Sequence, residues 1–192
     1  MNSIYKCVEK IELIIETERL IIRRSIFEDC VRFAQMETSE GVRAGFTMNR
    51  DWDYNKIAPD FVKKSMDESV EQWTIILKES GEIVGRIVVT CINRDYDSLD
   101  ITRIYIGEDE LRGKGLGSEA LEAMLKHYFL DENFERISLD YLTGNPVESL
   151  YRELGFRYEC KAVHAGKKDG VYKDLHRLAM IKSEYLKRCG NA

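Results

Sequence analysis

The chain has 192 residues, of which 44% are hydrophobic and 33% are charged, and its formal net charge is −5. This length suits a single domain with a substantial core, and the composition is ordinary for a folded globular protein. The negative charge balance argues against a broad electrostatic interaction with nucleic acid or with an anionic membrane. With two prolines and no low-complexity tract, the sequence predicts neither a linker nor a disordered segment.

The cysteines and histidines indicate neither a disulfide framework nor a metal site. The cysteines are odd in number and lack a CxxC pair, and no histidine lies at metal-ligand spacing from them (Cys7, Cys30, Cys91, Cys160, Cys189, His127, His164 and His176). Scattered free thiols are typical of a reducing cytosol. Glutamates at positions 9, 12 and 16 interrupt the N-terminal stretch, which predicts neither a signal peptide nor a membrane span. The sequence therefore predicts a cytoplasmic protein.

The first third of the chain predicts one strand and two helices. A strand is expected over 19–24 ("RLIIRR"), followed by a helix that Ser25 caps and that runs to about Glu37. The polar and aromatic stretch 39–56 reads as irregular. A second helix is expected over Asp60–Ser69, after Pro59.

The middle of the chain predicts three successive antiparallel strands and a crossover. Two β-rich runs within 71–92 are joined at 79–82, which is a hairpin signal, and a third strand covers 99–108. From Gly117 to Phe129 the apolar residues recur at helical spacing. A strand over 136–142 follows that helix, so the two form a β-α-β crossover.

The last part of the chain predicts a short helix and two strands. Asn145 and Pro146 suit the first positions of a helix, and Gly155 suits the position after its end. A strand over 156–160, a loop over 161–170 and a last strand over 171–181 complete the domain. The predicted fold is a single mixed α/β (α+β) domain with a mostly antiparallel sheet and one β-α-β crossover.

The stretch "LRGKGLGSEA" (111–120) places three glycines, at 113, 115 and 117, directly before the apolar stripe of the predicted helix. Glycine inside a helix costs roughly 1 kcal/mol relative to alanine, so such a run suits a loop whose backbone closely approaches a phosphate. A Walker P-loop is excluded, because Gly107 and Gly113 are separated by five residues and Gly115 follows Lys114. A dinucleotide fingerprint matches 115–120, but it begins too far after the strand and too little chain follows for a doubly wound fold.

The third candidate is the acyl-CoA loop R-x-x-G-x-G, which Arg112, Gly115 and Gly117 match. Here the sequence resembles the GCN5-related N-acetyltransferase (GNAT) superfamily. A second block, "LDYLTGNPVESLYRELGF" (139–156), resembles the family's other signature at the expected spacing. The start "ETERLIIRR" and the end "VYKDLHRLAMIKSEY" resemble the subgroup with ribosomal-protein alanine and spermidine acetyltransferases. The likeness spans 17–186, leaving 1–16 as an N-terminal extension and 187–192 as a tail.

This resemblance implies an acetyl-CoA site on the glycine loop and on the strand before it. Amides at a helix N-terminus suit a pyrophosphate, Arg112 and Lys114 would add positive charge, and Ser118 a hydroxyl. In the family, the strand before the loop splays from its neighbour and its backbone pairs with the pantetheine arm. The implied cofactor-binding residues are Ile104, Tyr105, Ile106, Arg112, Gly113, Lys114, Gly115, Leu116, Gly117, Ser118 and Asn145.

The resemblance also implies the catalytic groups of a direct acetyl transfer. Tyr151 matches the general acid that protonates the departing CoA thiolate, although a packed core tyrosine also fits its apolar stripe. An alkylamine is mostly protonated at pH 7, so its proton must be accepted by a side chain or through a water chain. Asp140 is the first choice, with Glu108 and Asp100 as rivals. A backbone N–H of the strand would stabilise the oxyanion. Neither a covalent acetyl-enzyme nor a metal is expected.

The predicted reaction moves an acetyl group from acetyl-CoA to a primary amine, either a small molecule or a peptide N-terminus. Aromatic and acidic residues in 25–70 could form a rim for a cationic amine or a solvated surface (Glu37, Glu40, Asp51, Trp52, Asp53 and Tyr54), and Lys167 and Lys168 speak against a simple anionic funnel. The alternatives are a non-catalytic acyl-CoA sensor on the same fold and a nicotinamide-binding dehydrogenase fragment. A homodimer stays open, since no pattern marks an interface.

Overall fold

A computed structural model describes residues 13–190. Its strands are β1 (Ile14–Glu16), β2 (Leu20–Arg24), β3 (Glu71–Leu77), β4 (Ile83–Asn93), β5 (Ser98–Ile106), β6 (Arg136–Leu142), β7 (Arg157–Lys168) and β8 (Val171–Ile181). Its helices are α1 (Cys30–Glu37), α2 (Glu40–Ala44), α3 (Tyr54–Ser65), α4 (Leu116–Lys126), α5 (Glu148–Glu153) and α6 (Lys182–Gly190). Short 3₁₀ turns precede α1 and α4, and a π-helical turn, His127–Asp131, extends α4.

The eight strands form a single sheet in the order β1-β2-β3-β4-β5-β6-β8-β7. Every neighbouring pair is antiparallel except β5 and β6, which α4 connects as a parallel crossover. The predicted fold class, a mostly antiparallel sheet with one β-α-β crossover, is confirmed.

The sheet splits in its middle, between β5 and β6. The two strands pair only from Ser98 with Arg136 to Ile101 with Leu139, although each continues for several residues. At the point of separation the β4–β5 register shifts and Thr102 is the extra residue. A bulge bends the strand that carries it. The backbone of β5 beyond Ile101 therefore has a strand partner on the β4 side and an open edge on the other.

Helices cover both faces of the sheet, and period-two alternation decides which core each strand residue joins. Ile104 and Ile106 face the core that α4 and α5 cover, where Leu116, Ala120 and Leu121 are also packed. Tyr105, between them, points to the opposite core, which α1–α3 cover (Phe33, Met36, Val42, Met48, Ile57 and Phe61). The molecule is a three-layer arrangement with the split at its centre.

Six predicted strands are confirmed within a residue or two: the first strand, the hairpin strands β3 and β4, and the strands β5, β6 and β8. These segments have β-branched residues with clear turn residues between them, so local preference and tertiary pairing agree. The predicted helix after the glycine loop is also present. It ends at Lys126 as an α-helix, and the π-helical turn covers the remaining predicted residues.

The predicted boundaries between 25 and 69 were wrong. Ser25 does not cap a helix, since its hydroxyl meets Thr74 Oγ1 at 2.8 Å and a 3₁₀ turn intervenes before α1. The stretch expected to be irregular contains α2 and the start of α3, which Asp53 caps by accepting from the Asn55 amide at 3.0 Å. Pro59 lies inside α3. Losing one helical hydrogen bond there is tolerated because the helix buries Ile57, Ala58 and Phe61.

Both ends of the chain and the second hairpin also differ from prediction. The expected loop 161–170 is mostly strand, because β7 pairs with β8 up to Lys168 and Val171. In the predicted extension, Ile14–Glu16 pairs with β2, while residues 1–12 lie outside the described part. Most of the predicted tail belongs to α6, whose Tyr185 stacks on Phe129 with ring centres 5.0 Å apart. Within residues 13–190, no helix combines the length and apolar character needed to cross a membrane.

Candidate active site

A cleft of about 950 Å³ opens where β5 and β6 separate. Twelve of the thirteen predicted site residues line it: Ile104, Tyr105, Ile106, Arg112, Gly113, Gly115, Leu116, Gly117, Ser118, Asp140, Asn145 and Tyr151. Lys114 does not, and its carbonyl accepts a hydrogen bond from Arg19 Nη1 at 2.8 Å. The structure thus brings together two sequence blocks that lie more than twenty residues apart.

The glycine loop presents a row of free amides to this cleft. The N–H groups of residues 113–118 donate to no acceptor within the described part of the chain. Gly113 and Gly115 have φ values of 73° and 79°, a left-handed conformation that side chains with a Cβ adopt rarely. A Cβ at Gly117 would meet no atom within 4 Å, so space is left beside the amides. Free amides at a helix N-terminus form a binding site for an anionic group.

The start of α4 is anchored to the first hairpin through Glu119. Its carboxylate accepts from Thr17 Oγ1 at 2.5 Å, from the Arg19 amide at 2.9 Å and from Arg19 Nε at 2.6 Å. Burial alone would raise the pKa of Glu119, but the hydrogen bonds from Thr17 and Arg19 outweigh it and lower that pKa. The pairing with Arg19 compensates a negative charge close to the free amides.

Arg112 borders the cleft, and its guanidinium group is bound to the end of β5 and to Asp109. Its Nε donates to the Ile106 carbonyl at 3.0 Å and its Nη2 to the Gly107 carbonyl at 2.9 Å. Its Nη1 pairs with Asp109. Gly41 of α2 makes room for this guanidinium, since a Cβ there would collide with Nη1. The arginine of the motif therefore holds the end of β5 in place.

Tyr151 lies on α5 and borders the cleft with an unsatisfied hydroxyl. The side chain is 8% exposed, and the hydroxyl makes no hydrogen bond to any residue within 13–190. Burial raises the pKa of Tyr151 to about 12. Behind it α5 ends in a Schellman motif, where Gly155 has φ of 100° and Phe156 donates to the Tyr151 carbonyl at 3.0 Å. The predicted role of Gly155 is confirmed.

Asn145 borders the cleft but does not cap a helix as predicted. The α5 helix begins at Glu148, and the Tyr151 amide donates to Val147. The Asn145 side chain turns instead toward α2, where its Nδ2 donates to the Gly45 carbonyl at 3.4 Å. This residue links the two walls of the cleft, so tertiary contact overrides its local capping preference.

All three candidate bases are ion-paired. Asp140 accepts from Arg177 Nε and Nη2, both at 2.9 Å, and borders the cleft. Glu108 pairs with Arg32. Asp100 accepts from Ser138 and lies 3.6 Å from Arg177 Nη2. Asp140 is thus the candidate placed beside the cleft, with both of its oxygens occupied.

The acidic and aromatic rim expected over 25–70 does not line the cleft. Glu37 is fully buried in an ion-pair network, and Trp52 donates to it from Nε1 at 2.8 Å. The other carboxylates serve local structure: Glu40 and Asp53 at helix starts, and Asp51 in a pair with Lys56. The interpretation of these residues as a binding surface for a cationic amine is not supported by their positions.

A family comparison identifies the fold. The model described as "Acetyltransferase (GNAT) domain" matches residues 19–157, which is most of the chain. The chain belongs to the GNAT family. It is therefore an acetyl-CoA-dependent N-acetyltransferase, and the resemblance stated from the two sequence blocks is confirmed.

Known relatives span nearly the same length as this acetyltransferase. An uncharacterized N-acetyltransferase, p20, of Bacillus licheniformis is 28% identical over 88% of this chain and 96% of its own. The spermidine N(1)-acetyltransferase of Vibrio cholerae is 25% identical over 67% of this chain and 74% of its own. A crystal structure of the V. cholerae spermidine N-acetyltransferase with CoA and spermine superposes with a TM-score of 0.78 at 21% identity, covering 88% and 99% of the two chains.

Sequence reasoning missed two features of this acetyltransferase. The first is the network in which Arg86 and Arg103 converge on Glu37. The second is the tip of the β7–β8 hairpin, where Lys168, Asp169 and Lys173 border the cleft. The first left no local signal, because its members are up to 66 residues apart. The second was assigned to a loop because glycine and lysine are poor strand formers.

No group of three or more His, Cys, Asp and Glu side chains between residues 13 and 190 is placed to hold a metal ion. Cys30, Cys91, Cys160 and Cys189 are free thiols, as predicted, while Cys7 lies outside the described residues.

Proposed function

We propose that this acetyltransferase moves the acetyl group of acetyl-CoA directly to a primary amine, of a small molecule or of a peptide N-terminus. The observation that carries the proposal is the row of six free amides at 113–118, next to the open edge of β5. The V. cholerae relative is named for spermidine, whose acetylated groups are amines, and this supports an amine acceptor.

Two groups of residues that border the cleft would bind two different parts of the proposed cofactor. The amides of residues 113–118 would hold the pyrophosphate, with Ser118 as an additional donor. The open backbone edge at Ile104–Ile106 would pair with the amide-rich pantetheine arm. When bound, the cofactor supplies a thioester, whose carbonyl carbon is open to attack by an amine.

We assign Tyr151 the role of stabilising the CoA thiolate as it leaves. With its pKa at about 12, the phenol is a weaker acid than a thiol of ordinary pKa about 8.5, so full proton transfer is uphill by roughly 5 kcal/mol. A hydrogen bond from the hydroxyl still stabilises the sulfur as negative charge develops on it. Tyr151 is therefore proposed as a hydrogen-bond donor that assists departure.

We keep Asp140 as the proposed proton acceptor, with Glu108 and Asp100 as rivals. Asp140 is the one of the three that borders the cleft. Because Arg177 occupies both carboxylate oxygens, the amine proton would reach Asp140 through a water molecule. The four free thiols support the cytoplasm as the proposed compartment.

The decisive experiment is calorimetric titration with acetyl-CoA and, separately, with NADH, followed by a turnover screen of primary amines. We expect acetyl-CoA to bind and NADH not to bind. Gly117→Trp should abolish acetyl-CoA binding, because an indole would fill the open space beside the amides without backbone strain at this position.

Gly117→Ala is the matched control, since it adds one methyl group at the same place and should retain binding within a few-fold. Circular dichroism and thermal unfolding would verify that both variants fold. Tighter binding of NADH than of acetyl-CoA, or equal acetyl-CoA affinity in Gly117→Trp, would refute the proposed site.

A further inference from the structure

Positive and negative side chains that border the cleft do not balance each other. The charged residues at its border are Arg112, Asp140, Lys168, Asp169 and Lys173. Both carboxylates are already neutralised: Asp140 by Arg177, and Asp169 by Arg43 and Arg50, whose guanidinium nitrogens lie 4.0 and 3.8 Å away. Lys168 and Lys173 have no carboxylate within salt-bridge distance among residues 13–190. The surplus charge of the cleft is therefore positive.

The strand register directs both lysines to the same side of the β7–β8 hairpin. Lys168 pairs with Val171 and Gly166 with Lys173, so these four positions share a face, while Lys167 and Tyr172 face the other way. Lys173 is exposed and Lys168 is half-buried. Burial, with Arg43 and Lys173 nearby, lowers the pKa of Lys168, although Asp169 and Glu40 act in the opposite direction. The Lys168 ammonium group donates to the Arg43 carbonyl. An anion beside the two ammonium groups would relieve this repulsion.

The lysines border the cleft on the β7–β8 hairpin, and the free amides border it at the start of α4. The hairpin tip is fixed to the segment after α2: the Asp169 amide donates to Asn49 Oδ1 at 2.8 Å, and the Arg50 amide donates to Asp169 Oδ1 at 2.8 Å. That segment packs through Met48 into the α1–α3 core, whereas α4 and its amides belong to the opposite core.

We propose that the acceptor carries an anionic group, a carboxylate or a phosphate, close to its amine, and that Lys168 and Lys173 bind this anion. The inference rests on the proposed function and narrows its substrate class. It separates this enzyme from one built for a polyamine, because no unpaired carboxylate borders the cleft within the described residues to receive a second ammonium group.

The test compares matched amines that differ by the anion. Ornithine and putrescine differ by a carboxylate, O-phosphoethanolamine and ethanolamine differ by a phosphate, and spermidine is the polycationic reference. With acetyl-CoA saturating, we expect kcat/KM at least tenfold higher for the anionic member of one pair. The pair that responds decides between carboxylate and phosphate.

Three variants assign the effect to the lysines. Lys173→Gln should lower kcat/KM for the preferred anionic amine about tenfold and leave the partner amine that lacks the anionic group unaffected. The Lys173 side chain makes no hydrogen bond or ion pair to other described residues, so the change should not disturb the fold. Lys173→Glu should shift preference toward spermidine. Lys167→Gln, on the opposite face, is the control and should change neither value.

Preferred turnover of spermidine by the wild type, or equal effects of Lys173→Gln on both members of a pair, would overturn the inference. The inference would also be overturned if Lys173→Gln raised the KM for acetyl-CoA but not the KM for the acetyl-CoA analogue that lacks the 3′-phosphate. That result would assign the lysines to cofactor binding. If acetyl-CoA binds but no amine turns over, the affinity of the CoA-bound enzyme for both amines of each pair is measured by calorimetry. Equal affinities for the two members of each pair would refute the inference. Failure of acetyl-CoA to bind would instead refute the proposed function.

Discussion

At the scale of single residues, the same side chain often has a local and a tertiary use, and the structure shows which one applies. Tyr151 fits the apolar stripe of its helix, yet its hydroxyl reaches the cleft without a partner among the described residues. Asn145 suits a helix cap by type, yet it links α2 to the turn before α5. Sequence could identify both residues but could not choose between their uses.

Tyr151→Phe should reduce kcat about a hundredfold, a typical loss when one hydrogen-bond donor to a developing negative charge is removed, with little change in affinity for acetyl-CoA. Because the pKa of Tyr151 is about 12, the alkaline limb of the pH–rate profile below pH 10 should be the same in both proteins. Steady-state rates from pH 6 to 10 would measure this.

Tyr141→Phe is the matched control, because Tyr141 also borders the cleft but its hydroxyl already donates to Glu148. It should lower kcat by less than threefold. Equal kcat values for Tyr151→Phe and the wild type would show that Tyr151 only packs in the core and does not assist the reaction.

At the scale of elements, α1 is joined to the centre of the sheet by a buried carboxylate. Glu37 accepts from Arg86 Nη1 at 2.8 Å, from Arg103 Nη1 at 3.0 Å and from the Tyr105 hydroxyl at 2.9 Å. Burial alone would raise the pKa of Glu37, but Arg103 and Arg86 outweigh it and lower that pKa. A buried carboxylate without these cations would be strongly unfavourable.

Glu37→Gln should lower the free energy of unfolding by about 3–5 kcal/mol at pH 7, because it leaves Arg86 as an unpaired buried charge. The folded-state pKa of Glu37 lies below its unfolded value of about 4.3, so this stabilisation is complete above that pH and is lost as the pH falls through the folded-state pKa. Urea unfolding at several pH values measures the difference.

Glu28→Gln is the control, since Glu28 is exposed just before α1 and should change stability by less than about 0.5 kcal/mol. If Glu37→Gln lowers the free energy of unfolding by the same amount at every pH from 7 to 3, the stabilisation does not come from the ionised carboxylate of Glu37.

At the scale of the whole molecule, the cleft has two walls that are distant in sequence and are held together at the hairpin tip. Asp169 meets Asn49 and Arg50 across about 120 residues of chain. The predicted loop at 161–170 is a strand pair because β8 provides partners for almost its whole length. The wall of the cleft that carries Lys168 and Lys173 exists only once this hairpin reaches the segment after α2.

Asp169→Ala should raise KM for the acceptor about tenfold while leaving affinity for acetyl-CoA within twofold, because the contacts of Asp169 are to Asn49 and Arg50 and not to the free amides of 113–118. Amide hydrogen exchange should increase at 49–51 and 168–170, and should not change at 113–118. Asp95→Ala, in the exposed turn between β4 and β5, is the control and should leave exchange at 49–51 unchanged. Unaltered exchange there in Asp169→Ala would show that the tip contact does not hold the walls together.

The sequence by itself determined the family, the central strands, the glycine loop and twelve of the residues that border the cleft. Those signals are local: periodicity, glycine spacing and turn chemistry act within a few residues of chain. Tertiary structure alone decided the split between β5 and β6, the ion-paired state of the three candidate bases and the burial of Glu37. It also placed Lys168 and Lys173 at the edge of the cleft. These depend on register, burial and charge pairing between segments far apart in the chain, where the free energy of contact outweighs local preference.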